Sequence, residues 1–190
     1  MADRLKPDNQ EIVERIRSFE KELFKKHNFK LYRNYHVPEA LVKNSKRVLS
    51  FGVGYDANFE KLICFDNREL DVRMFDPTPG TVKNISAILA KGGFRQFNEI
   101  PNAKEVSKEI VKDNITFKPY AYAPVNGTMK FYYKTEDGVL NPSDAAGSFS
   151  LVPVFDNPNN FVEVECKNIK TIMDELGWDS VDILKTDVEG

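Results

Sequence analysis

The chain has 190 residues, 41% of them hydrophobic, and its 27 Lys and Arg against 29 Asp and Glu give a net charge of -2. This size and apolar content predict one globular domain, and the near-neutral charge argues against nucleic acid as a partner. No segment approaches the roughly 18 apolar residues of a membrane span or the apolar core of a signal peptide, so we expect a cytoplasmic protein without a membrane partner.

An amphipathic helix is predicted over residues 9–26. Asp8 and Glu11 have the spacing of a capping box, and apolar residues then recur at helical spacing. These apolar residues are Ile12, Val13, Ile16, Phe19, Leu23 and Phe24. We expect the charged face of this helix to be exposed to solvent, and we describe residues 1–46 as an N-terminal helical extension.

Two strand-and-helix units follow. They are predicted as a strand over 47–51, a helix over 59–65, a strand over 71–75 and a helix from Pro79. The first strand enters a tight turn at Gly52 and Gly54, and the second ends at Asp76. Thr78 suits the N-cap of the helix that follows. The order of elements to this point is βαβα.

Strands dominate the rest of the chain. They are predicted over 114–121, over 128–134 after the Asn126-Gly127 turn, over 161–165 and from residue 181. Asn168 is predicted to cap a helix before the last strand, and residues 135–160 are predicted to form a long loop. Because strands alternate with helices, residues 47–190 predict a parallel, doubly wound sheet.

The glycine turn and Asp76 have the pattern of a nucleotide site. Gly52-x-Gly54-x-x-Ala57 follows a strand, and an acid lies about 20 residues further on. Glycines let a nucleoside approach the backbone, and the acid binds ribose hydroxyls. Nicotinamide-dependent oxidoreductases show the same pattern, so this function is an alternative at this point.

The last strand carries Lys185, Asp187 and Glu189 to its carboxyl end. Ligands of open α/β sheets bind at this end of the strands, so we expect these side chains beside the glycine turn. Lys185, Asp187 and Glu189 are therefore candidates for a chemical role. A structural ion pair between Lys185 and Glu189 is the alternative.

Metal and disulfide sites are not predicted. Cys64 and Cys166 lie far apart without a CxxC pair, and His27 and His36 show no metal-ligand spacing. We therefore expect both thiols to be inert in the core, and no residue is assigned as a metal ligand.

The chain resembles the FkbM family of methyltransferases in three strings: LSFGVG at 49–54, FDPTP at 75–79 and DILKTDVEG at 182–190. The resemblance implies a seven-stranded methyltransferase fold, S-adenosyl-L-methionine as cofactor, and methyl transfer to a hydroxyl of a sugar or small molecule. It implies cofactor contacts at Ser50, Phe51, Gly52, Gly54, Asp76 and Ala121. For such a methyl transfer, Asp187 or Glu189 is predicted to act as the general base, and Lys185 to stabilise negative charge or orient a carboxylate. Ser50 stands where many methyltransferases carry an acid that contacts the methionine ammonium.

Compared with such a fold, the predicted Rossmann-like sheet is truncated after its fourth core strand. The strand from residue 181 would then have an uncovered apolar edge, through which we expect self-association. A non-catalytic half-domain that a partner chain completes is a further alternative for the function.

Overall fold

A computed structural model describes residues 7–95, 110–111, 114–133, 149–153 and 159–188. The helices are α1 (Pro7–Lys26), α2 (Glu39–Asn44), α3 (Asn58–Asp66), α4 (Pro79–Ala90) and α5 (Ile169–Leu176). The strands are β1 (Phe29–Tyr32), β2 (Tyr35–Pro38), β3 (Arg47–Phe51), β4 (Asp71–Phe75), β5 (Phe94–Arg95), β6 (Ile110–Val111), β7 (Ile115–Lys118), β8 (Ala121–Tyr122), β9 (Gly127–Tyr133), β10 (Phe149–Ser150), β11 (Phe161–Lys167) and β12 (Ile183–Thr186).

A parallel sheet in the order β12-β3-β4-β7 forms the centre of the fold. Within it, Ser50 of β3 lies opposite Lys185 of β12 on one side and Met74 of β4 on the other. All three pairings are parallel, so the carboxyl ends of these strands meet at one edge of the sheet. This mixed α/β architecture with a parallel sheet agrees with the predicted class of fold.

The core lies on both faces of the sheet, because successive side chains of a strand point to opposite faces. Val48 and Val72 pack on one face with Ile63 of α3 and Ile85 of α4. The other face is covered by a smaller cluster. Its buried members are Leu49, Phe51, Phe75 and Ile172. Helices therefore cover the strands from both sides.

The predicted strand over 114–121 is two strands in different sheets. β7 belongs to the parallel sheet, while β8 joins a second sheet in the order β10-β9-β11-β8. Pro119 lies between them and has no backbone N–H to continue a ladder. The chain therefore leaves the first sheet at this residue and enters the second.

The second sheet also takes the strand predicted over 161–165. β11 pairs antiparallel with β9 and parallel with β8, so it lies outside the central sheet. Within the predicted loop 135–160, residues 149–150 form β10 against the end of β9. The remainder of that predicted loop falls largely outside the described residues.

The N-terminal segment packs on the parallel sheet through the β1-β2 hairpin and α2. Tyr32 and Val42 are buried in the same cluster as Val48. The Phe24 ring of α1 stacks on His36 at 3.9 Å between centroids. The division of the chain at residue 46 stays a prediction. Among the described residues, no helix is long and apolar enough to cross a lipid bilayer.

Both cysteines are buried, as predicted for core thiols. Burial raises the pKa of the Cys64 thiol to about 12. Burial likewise raises the pKa of Cys166. Both thiols therefore stay protonated near neutral pH, and thiols are much weaker nucleophiles than thiolates.

Candidate active site

A cavity of about 630 Å³ opens where β3, β4 and β12 end. Its floor includes the glycine turn and Asp76, and one wall comes from the second sheet. The lining residues are Gly52, Gly54, Phe75, Asp76, Pro77, Thr78, Thr81, Tyr120, Ala121, Tyr122, Ala123, Pro124, Met129, Phe131, Phe149, Leu151, Val152, Asp187 and Val188. Gly52, Gly54, Asp76, Ala121 and Asp187, all predicted site residues, are thus brought to one cavity.

The two glycines of the turn have different surroundings. Both have left-handed backbone conformations, with φ +68° at Gly52 and +72° at Gly54. A Cβ on Gly52 would meet the backbone of Asp187, whereas a Cβ on Gly54 would meet nothing within 4 Å. A glycine is therefore required at position 52 because the chain after β12 leaves no space for a side chain there. Gly54 is the position where an added methyl group would find open space.

Asp76 links the glycine turn to the start of α4. Its Oδ2 accepts from the Gly54 N–H at 3.0 Å, and its Oδ1 accepts from the Thr78 N–H at 2.8 Å. The residue is only 4% exposed. Each carboxylate oxygen can accept a further hydrogen bond, so Asp76 can hold both backbone groups and still bind a ligand hydroxyl.

Ser50 and Phe51 lie beneath the cavity and do not line it. Both are buried, and the Phe51 ring stacks on Tyr122 at 4.8 Å. Ser50 donates through its hydroxyl to Oε1 of Glu60. Ser50 and Phe51, which were predicted to contact the cofactor, therefore lie beneath the lining residues and support them.

Lys185 is buried and bound from several directions. Its ammonium donates to the Gly52 carbonyl oxygen, and its Nζ lies 3.9 Å from Glu60 Oε1 and 3.7 Å from Asp187 Oδ2. Orientation of a carboxylate, one of its two predicted roles, fits this geometry. Glu189, the other partner considered from the sequence, lies outside the described residues.

Glu60 is a central residue that the sequence reading missed. It is fully buried in α3, and its Oε2 has no hydrogen-bond partner within the described structure. Burial raises the pKa of Glu60, and the nearby Lys185 and Ser50 oppose this rise. The sequence did contain one indication of this residue, because Glu60 is an acid between Phe59 and Ile63 on the core-facing side of a helix.

Tyr35 is the second missed residue. Its hydroxyl donates to Asp187 Oδ2 at 2.7 Å, and its ring centroid lies 5.7 Å from Lys185 Nζ. Burial, followed by the hydrogen bond to Asp187, raises the pKa of Tyr35 well above its usual range. The phenol therefore remains a proton donor to Asp187 at ordinary pH. Nothing in the local sequence around Tyr35 indicates this contact.

Asp187 is held by its backbone and open at its side chain. Its N–H donates to the Phe51 carbonyl at 3.0 Å, which extends the pairing of β12 with β3. Its side chain is 68% exposed and faces the cavity. With Oδ2 engaged by Tyr35 and near Lys185, Oδ1 is available to a bound molecule.

One wall of the cavity is apolar. Met129 and Phe131 of β9, Phe149 of β10 and the adjoining Leu151 line it, and the two phenylalanine rings stack at 5.0 Å. Among the described lining residues, Asp76 and Asp187 are the only acids, and no Lys, Arg or His is present. The cavity therefore suits a ligand with positive charge at one end and apolar surface at the other.

No cluster of three or more His, Cys, Asp or Glu side chains suited to a metal ion occurs within the described ranges. In comparisons with known proteins, the family model for the methyltransferase FkbM domain matches residues 36–190. This match begins at His36 in β2 and includes every described lining residue of the cavity. No curated protein and no solved structure matches the chain.

Proposed function

This chain belongs to the FkbM methyltransferase family, and from that premise we propose that it transfers a methyl group from S-adenosyl-L-methionine to a hydroxyl of a sugar or another small molecule. Family membership supports methyl transfer as the reaction. The cofactor, the oxygen acceptor and the roles of individual residues are the content of the proposal.

The observation that carries the proposal is the charge of the cavity. Its described lining contributes two carboxylates, Asp76 and Asp187, and no cationic side chain. The proposed cofactor carries positive charge on its sulfonium and its ammonium, which this lining favours. A dinucleotide would place a pyrophosphate in the same cavity, beside like charge, and like charges at short distance repel strongly.

The backbone donors near the glycine turn support the same choice. A pyrophosphate at this turn binds to backbone N–H groups of the turn and the following helix start. Here the Gly54 N–H donates to Asp76, and the Asn58 N–H at the start of α3 donates to Asp56 Oδ1. The chain's own carboxylates thus occupy donors that an oxidoreductase of this type would offer to its cofactor, so we favour methyl transfer.

The described residues fit the proposed cofactor. Asp76 has free acceptor capacity for ribose hydroxyls, and Gly54 leaves open space above the turn. The cavity volume of about 630 Å³ lies within the usual range for ligand pockets, roughly 300–1,000 Å³. Ala121 and its neighbours in β8 would form the side wall of the nucleoside position. Ser50 and Phe51 would support the floor.

The cofactor supplies an activated methyl group on a sulfonium, so the protein needs mainly to align the acceptor and accept its proton. Asp187 is the residue that we assign as base, because its carboxylate faces the cavity. Tyr35 and Lys185 would hold Oδ2 in place, which leaves Oδ1 to receive the proton of the acceptor hydroxyl. Lys185 would therefore act by positioning Asp187.

The apolar wall indicates the kind of acceptor. An anionic acceptor would be repelled by Asp76 and Asp187, so the proposed acceptor is neutral. Phe131 and Phe149 would contact an apolar face, such as the C–H face of a sugar ring or a hydrocarbon portion. Neutral hydroxyl compounds are accordingly the acceptors to test first.

Isothermal titration calorimetry with S-adenosylhomocysteine and with NADH tests the cofactor. We expect binding of S-adenosylhomocysteine and much weaker or no binding of NADH. A preference for NADH would reject the proposal in favour of an oxidoreductase, and failure of both to bind would favour a non-catalytic half-domain. Transfer of a radiolabelled methyl group to a panel of neutral and anionic hydroxyl compounds then tests the acceptor class.

A further inference from the structure

The helix α1 presents four large apolar side chains to solvent. Ile12 is 56% exposed, Ile16 52%, Phe19 65% and Leu23 42%. Their spacing of four, three and four residues places them in one line along the helix, the pattern of the contact line in a two-helix coiled coil. We name these four residues the α1 stripe. In water, such a line of apolar side chains favours a partner that covers it.

A membrane surface fits this helix poorly. Helices that lie on anionic membranes carry an excess of Lys and Arg on their polar face. Pro7–Lys26 contains five acidic and five basic residues, so its charge is balanced. A protein surface with both signs of charge is the better match.

The charges beside the stripe are complementary to those of a second, antiparallel copy. Arg15 and Glu22 lie on the same flank of the stripe, two turns apart and on either side of its centre. When two copies of α1 pack antiparallel on their stripes, Arg15 of each copy faces Glu22 of the other. The same helix therefore offers an apolar line and two matching ion pairs to itself.

The attachment of α1 also favours this orientation. Its contact with the hairpin is at its C-terminal end, where Phe24 packs on Phe29 and His36. An antiparallel pair places the two folded bodies at opposite ends of the paired helices, where they do not collide. The α1 stripe precedes residues 36–190, so the contact lies outside the methyltransferase match.

From these observations we propose that the α1 stripe is a self-association surface, which packs antiparallel against the α1 stripe of a second copy of this chain. Four side chains from each copy form a small interface, below the size of most stable protein contacts. The dimer is therefore weak and depends on protein concentration. It is independent of the proposed cofactor and acceptor.

Sedimentation velocity of the full chain across a wide range of concentration tests the proposal. We expect a reversible monomer–dimer equilibrium, and Ile16→Glu raises its dissociation constant roughly tenfold or more, as for loss of a central interface residue. Lys21→Glu, on the opposite side of α1, is the matched control and leaves the equilibrium unchanged. Both positions are exposed, so circular dichroism and thermal unfolding should match those of the wild type.

A charge exchange tests the orientation. Arg15→Glu and Glu22→Arg each weaken the dimer, and the double variant restores it, because the pairs are reformed with reversed sign. In a parallel pair Arg15 faces Glu20 of the other copy, so the double variant would not restore it. Three results would overturn the proposal. The wild type could stay monomeric, or Ile16→Glu and Lys21→Glu could have equal effects. The third result is a dimer that is broken only by Leu184→Glu, at the edge strand β12.

Discussion

A Cβ atom on Gly52 would lie 1.9 Å from the carbonyl oxygen of Asp187. The chain after β12 thus passes directly over the turn after β3, and only a glycine permits this distance. From the sequence, the glycine was expected to let a nucleoside approach the backbone. The structure shows that Gly52 also makes room for the protein's own backbone.

We therefore expect Gly52→Ala to lower the free energy of unfolding by about 1–3 kcal/mol more than Gly54→Ala does, the range for overpacking a filled site. Gly54→Ala is the matched control, because its methyl group meets no neighbour within 4 Å. It should cost only the left-handed backbone strain, about 1–2 kcal/mol, and weaken S-adenosylhomocysteine binding. Urea denaturation and calorimetry measure the two effects. If Gly52→Ala destabilised the protein no more than Gly54→Ala, and both variants still bound S-adenosylhomocysteine, the turn would have moved to accommodate the added methyl groups.

Asp76→Ala should weaken S-adenosylhomocysteine binding by about 1.5–3 kcal/mol, the range for hydrogen bonds to a charged group. It should also lower the free energy of unfolding by about 1–2 kcal/mol, because the Gly54 and Thr78 N–H groups lose their acceptor. Asp179→Ala removes an exposed carboxylate far from the cavity lining and is the control. Unchanged affinity in Asp76→Ala would reject the assignment of the ribose position.

Replacement of Asp187 by Asn should reduce methyl transfer about 10²–10⁴-fold, as for loss of a general base. It should weaken S-adenosylhomocysteine binding far less, although one of the two cavity carboxylates is neutralised. Tyr35→Phe removes only the hydroxyl that donates to Asp187 and should reduce the rate roughly tenfold. In the Asp187→Asn background, Tyr35→Phe should add little, because it acts through Asp187. Additive losses in the double variant would show that Tyr35 acts separately.

The pH dependence of stability tests the environment of Glu60. Burial raises the pKa of Glu60 above its ordinary value of 4.5. The folded state then binds this proton more tightly than the unfolded state, so the contribution of Glu60 to stability is full below pH 4.5 and is lost as pH rises through the folded pKa. Glu60→Gln does not titrate at this position, so its stability relative to the wild type should increase as pH rises above 4.5.

Urea denaturation of both proteins at several pH values measures this difference, and Glu69→Gln at an exposed position is the control. A relative loss of stability in Glu60→Gln as pH rises would contradict the prediction. That outcome would mean that the attraction between Glu60 and Lys185 outweighs the burial of the carboxylate.

Local patterns in the sequence were enough to predict many elements. The apolar runs of β3 and β4 and the helical spacing in α4 and α5 gave the correct types, because these patterns depend on residues close together in the chain. Asn168 caps α5 as predicted, since its side chain accepts from the Thr171 N–H at 2.9 Å. Thr78 is at the N-cap of α4 as predicted, but its side chain makes no capping bond, and Asp76 accepts from its N–H instead.

The glycine turn, Asp76 and Asp187 could also be assigned to one site from the sequence, because the carboxyl ends of parallel strands meet at one edge. Tertiary structure alone decided that β8 and β11 belong to a second sheet, which supplies the apolar wall of the cavity. It also brought Tyr35 to Asp187 across 152 positions of sequence and Glu60 to Lys185. Such contacts depend on which strands pair and how helices pack over them. Local periodicity in the sequence determines neither of these.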